Sequence, residues 1–154
     1  MSLLSFLQPL KPMPPESPIT AIAHVIQLSV APVFLLTGIG AMLGVLTNRL
    51  SRIVDRARVV ERRIPEDQGS AQAELQALST RARLVGASIG LCTLTSLLVS
   101  TVIALLFLGT FLTFNASLVV AMLFVASMLA FILALLLFLR EIFIATAGLR
   151  FGRR

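Results

Sequence analysis

The sequence predicts an all-α membrane protein with three transmembrane helices and a cytoplasmic helical hairpin between the first and the second. Two charge-free runs carry this prediction, one of 32 residues at 17–48 and one of 56 residues at 84–139. A helix needs about 20 apolar residues to cross a bilayer, so the first run fits one crossing and the second fits two. With only 13% charged residues, the chain has more apolar surface than a soluble domain of its size can bury.

The chain begins with a proline-rich tail at 1–20, which is followed by transmembrane helix 1 at 21–46. The tail contains five prolines, whose spacing forbids a helix. Pro32 lies inside the span, where a membrane helix tolerates proline with a kink. We therefore expect one continuous, bent helix across the membrane.

An amphipathic helical hairpin is predicted at 47–83. Helical periodicity persists after Thr47, so we expect the first helix to leave the membrane unbroken and to extend over 19–64. The polar segment 65–70 predicts the turn. The apolar positions that keep helical spacing are Leu50, Ile53, Val54, Ala57, Val60 and Ile64 before the turn, and Leu75, Leu78, Ala82 and Val85 after it.

Transmembrane helix 2 is predicted at 84–109, an external turn at 110–115, transmembrane helix 3 at 116–139, and a basic extension at 140–154. Eight arginines lie between spans one and two, and four more lie after span three. The N-terminal tail has one lysine and the external turn has no basic residue. Because cytoplasmic loops carry the excess of Lys and Arg, we expect the N-terminus outside and the C-terminus in the cytoplasm.

No catalytic or metal-binding pattern is visible, so the sequence predicts no enzyme activity and no cofactor. The single histidine, His24, lies near the outer end of span one, and the single cysteine, Cys92, lies in the inner half of span two. A metal site needs several ligands at suitable spacing. The net charge of +6 lies beside the spans, so we expect anionic lipid headgroups as partners and no nucleic acid.

His24 and Gln27 form a polar pair on one face of span one. A polar pair inside a membrane span is a functional hypothesis, here a water-filled entrance or a pH-sensitive contact. The alternative is that both side chains hydrogen-bond to headgroups or to a neighbouring helix.

Small residues recur at every fourth position in all three spans, in span three at Ala126, Ala130 and Ala134. Such stripes let helices approach closely in lipid, within one subunit or between copies in a homo-oligomer. The alternative is a narrow pore lined by hydroxyl groups. The candidate packing or pore-lining residues are Ser88, Cys92, Ser96 and Ser100 in span two, and Gly40, Gly44 and Asn48 in span one.

Arginines next to the spans are candidate contacts to anionic lipid or to a cytoplasmic partner, because a guanidinium binds phosphate and carboxylate in bidentate fashion. The alternative is a solvated belt that fixes topology. The candidates are Arg49, Arg52, Arg56, Arg62 and Arg63. Glu141, just past span three, is expected to meet Arg49, Arg81 or Arg83.

The segments 23–40 and 46–58 resemble a family of small bacterial membrane proteins that is catalogued as domain of unknown function 2721. The likeness covers about residues 20–150, and Pro32 and 48–58 are its most recognisable parts. It implies a multi-pass protein of the bacterial inner (plasma) membrane with this three-span plan. It implies no activity and carries over no functional residues.

The leading functional hypothesis is a non-enzymatic, self-associating membrane protein, with a small pore or channel-like homo-oligomer as its sharper form. The alternative is a membrane scaffold or accessory subunit that binds a cytoplasmic partner or anionic lipid through the arginine-rich hairpin. A lipid-handling enzyme is the third class.

Overall fold

Three long helices make up almost all of the structure. The computed structural model describes residues 18–63, 68–111 and 117–149. Helix α1 is Pro18–Glu61, α2 is Gln68–Phe111 and α3 is Ser117–Leu149, with 44, 44 and 33 residues. At 1.5 Å per residue α1 is about 66 Å long, roughly twice the thickness of a bilayer's hydrocarbon core.

The prediction that the first helix leaves its apolar segment without a break is confirmed, because α1 continues through residue 47 to Glu61. Pro32 lies within α1 and does not end it. The predicted turn at 65–70 is wrong in its second half, since α2 already begins at Gln68. The predicted tail at 1–20 is wrong at its end, since α1 already begins at Pro18, and the predicted external turn at 110–115 is wrong at its start, since α2 continues to Phe111. Residues 1–17, 112–116 and those beyond Leu149 lie outside the described residues.

A seven-residue repeat packs α1 against α2. The buried residues of α1 include Ile39, Leu46, Ile53 and Val60, and those of α2 include Ala71, Leu78, Val85, Cys92 and Val99. All but Val99 belong to one packed core. A strict spacing of seven keeps the same face of a helix toward its partner when the two helices coil around each other with a left-handed twist. The apolar pattern predicted on both sides of the turn is therefore the start of a seam that continues into the membrane segments.

Helix α3 packs against α2 and not against α1. Among the described residues, α1–α2 and α2–α3 are the only helix pairs whose backbones lie close together. The buried residues of α3 are Ser127, Ala134 and Glu141, again seven apart. A groove with α2 as its floor therefore separates α1 from α3.

All three helices are long and apolar enough to cross a membrane. Their outward faces carry large apolar side chains, among them Phe34 on α1, Leu97 on α2 and Leu118 on α3. Apolar surface on this scale, with no charge across two long runs, is the surface of a multi-pass membrane protein.

Candidate functional site: an arginine cleft around a buried glutamate

The three helices change from apolar to charged at one level of the bundle. The charge-free run of α1 ends before Arg49, that of α2 begins after Arg83, and that of α3 ends before Arg140. Side chains from all three boundaries meet here, because Glu141 of α3 accepts hydrogen bonds from Arg49 of α1 and Arg81 of α2. In a bilayer this level corresponds to the headgroups.

Glu141 is fully buried and is held by two guanidinium groups. Arg49 donates from Nη1 to Oε2 of Glu141, and Arg81 donates from Nε and Nη2 to Oε1, each over 3.0 Å. These are two of the three arginines that the sequence offered as partners. Arg83 is exposed, because it lies two residues after Arg81 and is therefore rotated from it by about 200° around the helix axis.

The burial of Glu141 follows from its place in the repeat of α3. Ser127 and Ala134 occupy the preceding positions of the same seam, and both are completely buried. Their small side chains let α3 approach α2 closely. Glu141 is the next residue of that seam, so its carboxylate lies inside the bundle. A carboxylate removed from water costs several kcal/mol unless it is paired, and here both oxygens are paired.

A cleft of about 460 Å³ opens beside this triad. Four arginines and one glutamate contribute to its walls, so positive charge predominates. We call it the arginine cleft; it is lined by Val45, Asn48, Arg49, Arg52, Ile53 and Arg56 of α1, Leu78 and Arg81 of α2, and Glu141 of α3.

The cleft arginines differ in how they are held. The guanidinium of Arg49 lies over the ring of Phe138, with its carbon 5.2 Å from the ring centroid. Arg56 donates from Nε to Oε1 of Glu74 over 2.7 Å. Arg52 is exposed and has no acidic partner among the described residues. Arg62 and Arg63, the two remaining candidates, are exposed beyond the end of α1 and do not line the cleft.

His24 and Gln27 both lie exposed on α1, far from the arginine cleft. Their role at a polar entrance stays a prediction. Cys92 is buried in the packed core, and His24 does not belong to that core. Within the described part of the chain, no group of His, Cys, Asp and Glu is arranged to hold a metal ion.

The four-residue stripe of α2 does not stay on one face. Ser88 and Cys92 are fully buried, Ser96 is half-buried and Ser100 is exposed. The cause is geometric, because a spacing of four drifts by about 40° per step on a helix of 3.6 residues per turn. Ser88 and Ser96 also donate their hydroxyls to the carbonyl oxygens of Leu84 and Cys92, each over 3.0 Å. Lining of a pore by these residues stays a prediction.

A second set of glycines, missed in the sequence, lies beside Gly40 and Gly44. Gly86 and Gly90 of α2 are exposed, like the pair on α1, and no atom lies within 4 Å of the space that a Cβ would occupy at any of the four. We call these four residues the glycine face. The spacing Gly86-x-x-x-Gly90 is the signal that could have identified them.

The glycine face is one continuous surface. Gly44 lies twelve residues before Arg56 and Gly86 twelve residues after Glu74, so the Arg56–Glu74 ion pair places the two glycines at the same level. In α1 the two glycines lie five and nine residues before Arg49, and in α2 they lie five and nine residues after Arg81. Each of these spacings corresponds to a rotation of about half a turn around the helix axis, so the glycines lie on the side of each helix opposite its arginine. Because both arginines reach Glu141 of α3, the glycine face lies on the side away from α3. Asn48, the third member of the α1 stripe, instead lines the arginine cleft.

A family model described as "Protein of unknown function (DUF2721)" matches residues 29–151, which is most of the chain. The resemblance noted on residues 23–58 is thereby confirmed. No curated protein and no solved structure matches the chain.

Proposed function

The chain belongs to this family of proteins of unknown function, and from its geometry we propose that it is a non-enzymatic integral membrane protein that self-associates through the glycine face. We place it in the bacterial inner membrane with its N-terminus outside. The distribution of arginines supports this orientation, since all twelve follow the first span and none lies between spans two and three. In this orientation the arginine cleft and the charged ends of α1 and α2 lie on the cytoplasmic side.

The observation that carries the proposal is the contrast between two exposed membrane surfaces. The outer surface of α3 carries many large side chains that suit lipid tails, among them Leu118, Met122 and Leu129, each more than 60% exposed. The glycine face has four positions without a side chain, all open. In lipid, apolar burial gives helices no drive to associate, and small residues at the interface are what permits close contact. The glycine face is therefore the surface that suits a second copy of the chain.

A pore is the finer form of the same proposal. Thr93 and Thr101 are exposed on α2 and donate their hydroxyls to carbonyl oxygens of their own helix. Such hydroxyls can border a hydrated axis if the copies close into a ring. Imaging the purified protein at a resolution that shows symmetry tests this form: a closed ring with an open axis supports it, and a solidly packed axis overturns it while leaving self-association intact.

Leucine substitutions in the glycine face test self-association. We expect Gly44→Leu and Gly90→Leu to lower the association constant in nanodiscs at least tenfold, about 1.4 kcal/mol, because the added side chains hold the helices apart. The fold of one subunit should survive, since leucine favours a helix more than glycine does and the space is open.

Ala126→Leu is the matched control, because Ala126 is an exposed small residue of α3 outside the glycine face. Single-molecule subunit counting should show the wild type and this control in the same oligomer, with the two glycine variants shifted to smaller species. A wild-type protein that remains monomeric at high protein-to-lipid ratio, or glycine variants that assemble like the control, contradicts the proposal.

A further inference from the structure

We propose that the arginine cleft binds the phosphate group of an anionic membrane lipid. This inference is independent of self-association, because the cleft and the glycine face lie on different sides of the α1–α2 pair. It concerns a polar cavity that all three helices help to build.

The charge balance of the cleft favours an anion. Four guanidinium groups line it together with a single carboxylate, and Glu74 is the partner of Arg56 at its edge. Arg52 remains without an acidic partner among the described residues. A guanidinium presents paired N–H donors that match two oxygens of a phosphate, and such charge-assisted bonds are about twice as strong as neutral ones.

Two of the cleft arginines are held in place before any ligand arrives. Arg81 uses Nε and Nη2 on Glu141, and the two N–H groups of its Nη1 have no partner in the part of the chain that the structure describes. Arg49 uses Nη1 on the same carboxylate and rests on Phe138. A guanidinium has five N–H donors, so both retain donors for a ligand. Because Glu141 fixes these side chains, a ligand does not have to order them, and this lowers the cost of binding.

The place of the cleft indicates a lipid as the source of the phosphate. It lies where the charge-free runs of all three helices end, which is headgroup depth in a bilayer. Among the described residues the backbones of α1 and α3 do not lie close together, so the gap between them, which the Arg49 side chain crosses, is a side opening of the cleft. A volume of about 460 Å³ is within the usual range for small-molecule sites. Basic pockets between membrane helices on the cytoplasmic side are typical sites for anionic headgroups.

The experiment measures binding of phosphatidylglycerol to the full-length protein in phosphatidylcholine nanodiscs by native mass spectrometry. Arg52→Gln is the diagnostic variant, because Arg52 has no ion pair whose loss would destabilise the fold. Arg83→Gln is the matched control: it removes the same charge close to the same boundary between apolar and charged residues, but Arg83 does not line the cleft. A thermal unfolding curve of each variant verifies that the fold is unchanged.

We expect Arg52→Gln to weaken phosphatidylglycerol binding about tenfold, since loss of one charge-assisted contact costs that much or more, and Arg83→Gln to leave it within about twofold. Equal losses in both variants would show a non-specific basic belt and overturn the site. Inorganic phosphate is titrated in nanodiscs of phosphatidylcholine alone as a second arm. If free phosphate stabilises the wild type but not Arg52→Gln, and phosphatidylglycerol binds both equally, the lipid source is overturned in favour of a soluble phosphate.

Discussion

The membrane end and the charged end of this bundle are held together by different means. In the membrane end, the seams contain aliphatic and small residues such as Ile39 and Ala134, and the hydroxyls donate to carbonyl oxygens of their own helices. At the charged end, Glu141 joins all three helices through two arginines. In lipid, burial of apolar side chains provides no driving force for helix association, so close packing of the side chains stabilises the membrane end. At the level of the headgroups a paired carboxylate fixes which helices meet.

The two ends also differ in how α3 is connected. Among the described residues the backbone of α3 lies close to α2 and not to α1, and its links to α1 include side-chain contacts of Arg49 with Glu141 and with Phe138. The buried carboxylate therefore fixes the position of α3 relative to α1. This makes Glu141 the residue whose loss should have the largest effect on the fold.

We expect Glu141→Ala to lower the free energy of unfolding by about 3–5 kcal/mol, because it leaves two guanidinium groups facing each other without the charge that pairs them. Denaturant unfolding in detergent micelles, followed by circular dichroism, measures this. Glu61→Ala is the control, since Glu61 is exposed at the end of α1 and should cost under 0.5 kcal/mol. If the Glu141→Ala variant were as stable as this control, the charged end would not depend on the buried carboxylate.

Much of this fold could be predicted from the sequence, because charge-free length and apolar periodicity are both local properties. The meeting of Glu141 with Arg49 and Arg81 could be predicted too, since all three lie at the ends of charge-free runs. The neighbourhood of Ser88 and Ser100 could not, because a spacing of four residues drifts around the helix and its final direction depends on where α1 and α3 pack. The spacing of Gly86 and Gly90 is visible in the sequence, but that this pair lies beside Gly40 and Gly44 could not be predicted, because it depends on the register between α1 and α2.

The same core change at the two ends sharpens the comparison. Ile39 lies inside the charge-free run of α1 and Ile53 beyond it, and both are buried in the α1–α2 seam. Ile53→Ala should cost about 2–5 kcal/mol, because it loses both transfer from water and packing. Ile39→Ala loses packing only, since lipid replaces water as the surrounding solvent, and should cost clearly less. Unfolding curves of both variants under identical conditions give the difference, and equal costs would contradict the assignment of Ile53 to a water-exposed part of the bundle.

The smallest expected effect concerns the second ion pair of the charged end. Arg56 and Glu74 join α1 to α2 with a contact as short as those of Glu141, but their side chains are 48% and 40% exposed. Water and salt already stabilise both charges in the separated state, so Glu74→Gln should cost only about 0–1 kcal/mol. High salt should reduce even this cost, while the cost of Glu141→Ala should change little because that carboxylate is shielded from the solvent. Repeating the unfolding curves of both variants at low and at high salt measures the contrast. If salt changed the costs of the two variants equally, burial would not be the property that distinguishes the Glu141 triad from the Arg56–Glu74 pair.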